Sequence, residues 1–167
     1  DLRNLETFTI DSYHAKDLDD AISLTREKDN FILYVSIADV SFYVRPGMQL
    51  FEEALTKTTS IYPANTVSPM LPTILSNNAC SLNPNEDKYA LTLDSMGNTK
   101  DFEIFPSIIR SNLKMSYEKV DNLLLGKDKP LEYLPHYKTL INMYHLANLL
   151  QNKRLEKGML GLEEIDI

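Results

Sequence analysis

The order of apolar and polar residues along the chain predicts strands first and helices later. Residues 5–10 (LETFTI) alternate, so that Phe8 and Ile10 share one face of a strand. Residues 20–27 and 30–40 predict two more strands joined as a hairpin by the polar turn EKDN. The second of these strands is almost continuously apolar, which is typical of a central strand buried on both faces.

The middle of the chain combines a short helix, a long loop and more strands. Residues 50–58 (LFEEALTKT) predict the helix, and residues 61–88 contain four prolines and few regular patterns. A loop of this length inside a compact domain is usually functional. Residues 89–105 predict two strands around a turn at Asn98, and residues 106–116 continue the second strand or start another.

Helical spacing dominates the last part of the sequence. Ser116 is suited to cap a short helix that stops at Gly126, and residues 134–158 predict a long helix closed by Gly158. Strands followed by helices favour an α+β fold over a strictly alternating α/β fold. We expect a mixed, mainly antiparallel sheet with helices packed on it.

Four aspartates crowd the segment TIDSYHAKDLDD, at Asp11, Asp17, Asp19 and Asp20. Their spacing does not repeat as on a helix face, and two adjacent residues of a strand point to opposite sides of the sheet. Like charges this close repel one another and favour uptake of a proton or a cation. A strand that carries Asp11 and a turn that places the other three around it would surround a positive ion.

Three interpretations of the aspartates compete. The first is a solvated turn, since aspartate is common in turns. The second is an EF-hand calcium loop, and it fails because a loop starting at Asp17 has Ala21, Ile22 and Lys28 at positions 5, 6 and 12. The third is a magnesium site acting on phosphates, where the ion is shared between one or two carboxylates and its substrate.

Composition narrows the possibilities without deciding between them. The chain has 167 residues, 43% of them hydrophobic, which suits one domain with a packed core. No apolar run approaches the roughly 20 residues of a membrane span, so we expect no membrane contact. The single cysteine, Cys80, predicts a small buried residue in a reducing cytoplasm. The net charge of −7 weighs against nucleic-acid binding, but bound divalent cations would offset it.

Several stretches stand out in order along the chain, namely FTIDSYHAKDLDDAI, SIADVSFYV, TSIY, PMLP and LSNNACSLNP, together with the less specific IIRSNLKMSYEKV and EKGMLGL. Together they resemble the catalytic domain of the ribonuclease II/ribonuclease R (RNB) family of 3′→5′ exoribonucleases. The resemblance runs along nearly the whole chain. Since the family's catalytic domain is about twice this length, residues 1–167 are expected to be its N-terminal part, a single domain fragment cut from a longer protein.

The resemblance implies both chemistry and site residues. It implies processive hydrolysis of single-stranded RNA from its 3′ end to nucleoside 5′-monophosphates, with Mg²⁺ (or Mn²⁺ in its place) and flanking oligonucleotide-binding domains. Asp11, Asp17, Asp19 and Asp20 match the family's magnesium site and are the expected catalytic and metal-binding residues. Tyr62 matches a tyrosine that contacts the 3′-terminal nucleotide.

Other roles follow from residue chemistry. A phenol is a poor Mg²⁺ ligand, so Tyr62 is expected to act on RNA and to leave metal binding unaffected. Asp39 predicts a capping residue at a strand end, and PMLP predicts a rigid loop under the site. The alternative function is a truncated module that binds metal and RNA without cutting, and the isolated fragment is expected to be weakly active or inactive.

Overall fold

The computed structural model of the protein describes residues 1–27, 30–63, 66–96 and 102–159. The chain divides into two compact units, residues 1–120 and residues 121–167. The first unit contains the whole sheet and the four aspartates, and the second contains the long helix. The expectation of a single domain fragment stays a prediction.

Six strands form one mixed sheet in the first unit. They are β1 (Thr7–Asp11), β2 (Asp20–Glu27), β3 (Asn30–Ala38), β4 (Asp87–Met96), β5 (Phe102–Arg110) and β6 (Leu113–Ser116). Their order across the sheet is β5-β4-β3-β2-β1-β6. Neighbouring strands are antiparallel except β1 and β6, which are parallel. The expected α+β fold with a mainly antiparallel sheet is confirmed, and residues 106–116 both complete β5 and start β6.

Within the described residues, three α-helices occupy the positions that the sequence predicts. They are α1 (Gln49–Lys57), α2 (Tyr117–Leu124) and α3 (Tyr137–Glu156). Ser116 caps α2, since its hydroxyl accepts a hydrogen bond from the amide of Lys119 at 3.4 Å. Gly126 and Gly158, which follow α2 and α3, have φ angles of +70° and +89°, a backbone conformation that favours glycine at helix ends. Among the described residues, no helix has both the length and the apolar character needed to cross a bilayer.

The hairpin of β2 and β3 is confirmed, but β3 is not buried on both faces. The strand lies inside the sheet, between β2 and β4, and Ile32, Ser36 and Ala38 on one face are buried. Ile37 on the other face is 47% exposed. Side chains alternate between the two faces of a strand, and in the described part of the chain the second face is left partly open. An apolar run therefore predicted the strand correctly and its two-sided burial wrongly.

A row of hydroxyl groups crosses the buried face of the sheet. Thr92 on β4 is fully buried, and its hydroxyl lies 2.8 Å from that of Ser36 on β3 and 2.6 Å from that of Ser107 on β5. Each hydroxyl can donate one bond and accept another, so the row satisfies its members without water. These cross-strand bonds tie together three neighbouring strands through their side chains as well as their backbones.

Two apolar clusters support the segments around the aspartates. The first lies against β2 and β4 and consists of Leu18, Ala21, Ala38, Leu82, Ala90 and Ile109. The second joins α1 to the PMLP loop through Val44, Ala54 and Leu71. Leu18 sits between Asp17 and Asp19 and is only 1% exposed, so burial of one leucine anchors the aspartate loop to the core.

An ion network joins the chain start to β4 and β5. Asp87 on β4 accepts a hydrogen bond from Arg110 at 2.7 Å and another from Arg3 at 2.9 Å. The bond from Arg110, followed by that from Arg3, holds the pKa of Asp87 below its usual range. This carboxylate is therefore well satisfied, in contrast to Oδ2 of Asp11, which has no hydrogen-bond partner within the described residues.

Candidate metal centre

The four aspartates lie at the ends of two neighbouring strands and in the loop between them. Asp11 is the last residue of β1 and Asp20 is the first residue of β2. Because β1 and β2 are antiparallel neighbours, both residues lie at the same end of the sheet. Asp17 and Asp19 belong to the connecting loop. The sequence predicted a turn carrying Asp17, Asp19 and Asp20; the structure has Asp17 and Asp19 in the loop and Asp20 on β2, because pairing with β3 extends β2 as far as Asp20.

Lys114 on β6 holds the start of this loop. Its ammonium group donates hydrogen bonds to the backbone carbonyls of Tyr13, at 3.1 Å, and Ala15. The same positive charge opposes the rise in the pKa of Asp11. Lys114 therefore fixes the loop backbone and offsets part of the negative charge.

Ser81 holds the other half of the loop. Its hydroxyl donates to the carbonyl of Lys16 at 2.9 Å and accepts from the amide of Leu18 at 3.1 Å. The carbonyl of Asp19 accepts a hydrogen bond from the amide of Ala38 on β3 at 2.8 Å. These hydrogen bonds fix the backbone of the loop, and so they fix the positions from which Asp17 and Asp19 extend their carboxylates.

The electrostatics of the cluster disfavour four bare negative charges. Partial burial raises the pKa of Asp11, and Asp20, Asp19 and Asp17 raise it further against the opposing effect of Lys114. Partial burial also raises the pKa of Asp19, together with the charges of Asp17 and Asp20. A bound cation would reverse this balance, because it stabilises the ionised carboxylates that now repel one another.

One carboxylate oxygen in the cluster is left without a partner. Oδ2 of Asp11 is buried and makes no hydrogen bond within the described residues. Buried polar atoms are nearly always paired, so an orphaned carboxylate oxygen among four aspartates fits a cation ligand. Within the described ranges, no three His, Cys, Asp or Glu side chains are placed to hold one ion together. Mg²⁺ needs only one or two carboxylates and retains several waters, so the all-oxygen donor set fits it.

Tyr62 contacts the cluster directly. Its side chain is 63% exposed, which excludes a role as a half-buried packing residue. Its hydroxyl donates a hydrogen bond to Oδ2 of Asp17 at 2.8 Å, and this bond is the main reason for the raised pKa of Tyr62. Tyr62 is thus bonded to one of the predicted metal-binding residues, and its expected lack of effect on metal binding stays a prediction.

Two cavities share Tyr62 and Asp17 as lining residues. One, of about 320 Å³, has a polar lining that includes His14, Lys16, Ser60, Thr73, Ser76 and Asn77. The other, of about 290 Å³, also takes in Asp19 and is more apolar, with Ile37, Ala38, Val40, Met70, Leu71 and Cys80. Pro69 of the PMLP loop lines the first cavity and Met70 and Leu71 line the second, so the loop lies at the site as predicted.

The remaining residues singled out in the sequence take structural positions. Asp39 caps the short 3₁₀ turn Val40–Phe42 by accepting a hydrogen bond from the amide of Phe42 at 3.2 Å. Cys80 is buried, as expected of a small apolar residue.

Two residues of the stretch IIRSNLKMSYEKV, to which sequence analysis gave no role in the site, reach the cluster from β6 and the start of α2. Lys114 is one, and Tyr117 is the other. Burial raises the pKa of Tyr117, and the charges of Asp11 and Asp20 raise it further, which places the phenol near these carboxylates. The register that pairs Asp11 with Ser116 on β6 brings both residues to the site. A parallel pairing over about a hundred residues of sequence has no local pattern from which to predict it.

Comparisons with known proteins show which family the chain belongs to. The chain matches the RNB domain family over residues 1–167. It is 44% identical over 163 residues to ribonuclease R of Chlamydia muridarum, an alignment that covers 95% of this chain and 23% of that protein. The chain therefore spans about a quarter of the length of this relative.

Solved structures show the same fold. The structure of Mycoplasma genitalium RNase R in complex with ribose methylated single-stranded RNA matches with a TM-score of 0.89 and 33% identity, over 99% of this chain and 26% of that chain. The same enzyme in complex with double-stranded RNA matches with a TM-score of 0.87 and 34% identity, over 96% and 29% of the two chains. The chain belongs to the RNB domain family.

Proposed function

We propose that the protein acts in the hydrolysis of RNA as a 3′→5′ exoribonuclease. In this proposal single-stranded RNA is shortened processively from its 3′ end and released as nucleoside 5′-monophosphates, with Mg²⁺ as the cofactor and Mn²⁺ as a substitute. Membership of the RNB domain family supports the reaction class. The RNA bound to the structurally similar RNase R chains supports the substrate class.

One structural observation carries the metal part of the proposal. A buried carboxylate oxygen without a hydrogen-bond partner, Oδ2 of Asp11, lies in a cluster whose other charges all disfavour its ionisation except that of Lys114. A fold that only needed a solvated turn would have no reason to bury this oxygen. A cation ligand explains both the burial and the crowding of charge.

The chain's own residues have a limited and definite task. Mg²⁺, when bound, supplies a water of lowered pKa and neutralises negative charge on the phosphate. Asp11 and Asp20 contribute carboxylates from two strand ends, and Asp17 and Asp19 contribute them from the loop. Lys114 and Ser81 hold the loop backbone before the metal ion binds. Binding therefore does not have to supply the free energy that ordering the loop would cost.

The RNA end would lie against Tyr62. An exposed aromatic ring offers a stacking surface that every base can use, and base–aromatic stacking is worth about 1–3 kcal/mol per base. The polar cavity beside the ring offers Lys16, His14 and hydroxyl groups to a ribose or phosphate. The apolar cavity on β3 offers its surface to a base.

The proposal extends to the setting of the domain. It takes residues 1–167 as the N-terminal part of a longer catalytic domain with flanking oligonucleotide-binding domains, and the chain's length, about a quarter of that of its relative, is compatible with this. A cytoplasmic location belongs to the same proposal and rests on the single cysteine. These residues alone are expected to trim RNA slowly or not at all, because the RNA end would be incompletely held.

The second candidate is a module that binds metal and RNA without cutting. It is favoured by the finding that, in the part of the chain that the structure describes, no three potential ligands are positioned to hold one ion. Such a site would hold the ion through one or two carboxylates and several waters, an arrangement that also suits a module that only binds metal and RNA.

A trimming assay separates the candidates. The full-length protein, its Asp19→Asn variant and the 167-residue chain are incubated with an oligoribonucleotide, whose 3′ end is either free or blocked, in Mg²⁺ or in EDTA. We expect the full-length protein to shorten the free RNA from its 3′ end in Mg²⁺ and to release 5′-mononucleotides. We expect the 167-residue chain to do so slowly or not at all, and Asp19→Asn to abolish the shortening.

Three results would contradict the proposal. Internal cuts in the blocked RNA would exclude an exonuclease, and trimming in EDTA would exclude the metal. Bound Mn²⁺ and bound RNA with no product from the full-length protein would favour the binding module over the enzyme.

A further inference from the structure

The backbone that carries Tyr62 is held in place close to Asp17. Ile61 and Ser68 form an isolated antiparallel bridge, with amide-to-carbonyl hydrogen bonds of 2.9 Å in both directions. The hydroxyl of Ser60 accepts a hydrogen bond from the amide of Met70 at 2.9 Å. These bonds hold the backbone before and after Tyr62. The hydroxyl of Tyr62 lies 2.8 Å from Oδ2 of Asp17.

We propose that Tyr62 is a positioning residue for Asp17, in addition to any contact it makes with RNA. By holding Oδ2 of Asp17 with its hydroxyl, Tyr62 fixes the carboxylate and leaves Oδ1 to the metal ion. This inference rests on the proposed function, because it assumes that the aspartate cluster binds Mg²⁺ or Mn²⁺.

The electrostatics of the cluster explain why Asp17 needs such a bond. Its negative charge raises the pKa of both Asp11 and Asp19, so like-charge repulsion favours rotation of the Asp17 side chain away from the cluster. A hydrogen bond to an ionised carboxylate is stronger than one between neutral groups. The hydroxyl of Tyr62 therefore holds Asp17 against this repulsion before the ion arrives.

The bond also links the two halves of the site. The side chain of Tyr62 lines both cavities, so the residue offered to an RNA base is the residue that orients a metal ligand. Replacing the hydroxyl alone separates the two roles. Tyr62→Phe keeps the ring and loses the bond to Asp17, whereas Tyr62→Leu loses both.

The test measures metal binding without turnover. Mn²⁺ binding to the 167-residue chain is followed by calorimetry and by electron paramagnetic resonance, for the parent, Tyr62→Phe and the matched control Tyr13→Phe. Tyr13 is exposed on the loop between β1 and β2, which also carries Asp17. The control therefore removes a nearby hydroxyl other than the one bonded to Asp17. We expect Tyr62→Phe to weaken Mn²⁺ binding about tenfold, at the low end of losses seen when a group that orients a metal ligand is removed.

Two further measurements make the inference specific to Asp17. In an Asp17→Asn background, Tyr62→Phe should have almost no additional effect on Mn²⁺ affinity, because coupled residues are not additive. In EDTA, Tyr62→Phe should bind a short oligoadenylate as the parent does, while Tyr62→Leu should bind it more weakly. Unchanged circular dichroism would show that the variants are folded.

The outcomes distinguish this inference from the proposed function. A parent chain that binds no Mn²⁺ would overturn both. A parent that binds Mn²⁺ with the same affinity as Tyr62→Phe would overturn the positioning role alone. An equal loss from Tyr62→Phe with Asp17 present and with Asp17→Asn would show that the hydroxyl does not act through Asp17.

Discussion

Replacing Asp11 by asparagine should make the protein more stable without metal and less responsive to metal. Burial and three neighbouring aspartates raise the pKa of Asp11. A carboxylate whose pKa is raised by folding adds stability below its unfolded-state pKa and loses it as the pH rises through the folded-state pKa. At pH 7.5, far above the unfolded-state pKa, Asp11 therefore destabilises the metal-free fold, and Asp11→Asn removes the ionisable group while keeping its size.

The size of the stability change in Asp11→Asn can be estimated from the unpaired Oδ2 of Asp11. Leaving a buried polar atom such as Oδ2 of Asp11 unsatisfied costs about 1–3 kcal/mol, of which the neutral amide should recover part. In a chain of this size about 1 kcal/mol shifts the melting temperature by roughly 2–4 °C. Mg²⁺ at about 100 times its dissociation constant stabilises the parent by about 2.7 kcal/mol, or roughly 5–10 °C.

Thermal melts with and without Mg²⁺ test this prediction. The parent, Asp11→Asn and the control Asp121→Asn are melted at pH 7.5 in EDTA and in a Mg²⁺ titration. Asp121 is exposed on α2, so the control removes one negative charge outside the cluster. We expect Asp11→Asn to melt a few degrees above the parent in EDTA, by the conversion given above, and below it in saturating Mg²⁺.

The crossing of the two curves is the decisive feature. A lower melting temperature for Asp11→Asn in EDTA would show that its carboxylate is already satisfied in the metal-free fold. An equal Mg²⁺-dependent rise in Asp11→Asn and the parent would show that Asp11 does not contribute to metal binding.

Two further predictions concern the sheet. Thr92→Val keeps the volume of the side chain but leaves the hydroxyls of Ser36 and Ser107 without their shared partner. Urea denaturation should therefore show that the free energy of unfolding falls by roughly 1–3 kcal/mol, with an unchanged m-value. A fall of less than about 0.5 kcal/mol would mean that the hydroxyl row is not important for stability. The pKa of Asp87 is lowered by its two arginine partners, so its contribution is present above the unfolded-state pKa and disappears as the pH falls through the lower folded-state pKa. Asp87→Asn should therefore flatten the acid limb of a stability–pH profile below about pH 4, and a profile parallel to that of the parent there would contradict this assignment.

Local pattern in the sequence was enough to predict most of the secondary structure. Alternation and apolar runs predicted the strands, and Ser116, Gly126 and Gly158 predicted helix ends that the structure confirms. These predictions succeed because strand alternation, capping and positive φ angles depend on residues within a few positions of one another.

The aspartate cluster was also predictable from sequence, for a related reason. All four carboxylates lie within ten positions, so one strand end, one loop and the next strand start are enough to bring them together. The crowding of like charges is visible in the sequence itself, and it indicates a cation before any contact is known. Metal binding by the four aspartates stays a prediction, which the thermal melts and the Mn²⁺ binding measurements described above test.

Only the tertiary structure decided what surrounds the cluster. Lys114 reaches the loop because β6 pairs in parallel with β1, and Tyr62 reaches Asp17 across 45 positions of sequence. The open face of β3 likewise depends on which elements cover the sheet, and an apolar run carries no information about its neighbours. Contacts between distant segments depend on how the whole chain packs, because their free energy comes from burial and pairing that no short stretch contains. The hydroxyl that holds Asp17 and the ammonium that holds its loop are therefore properties of the fold.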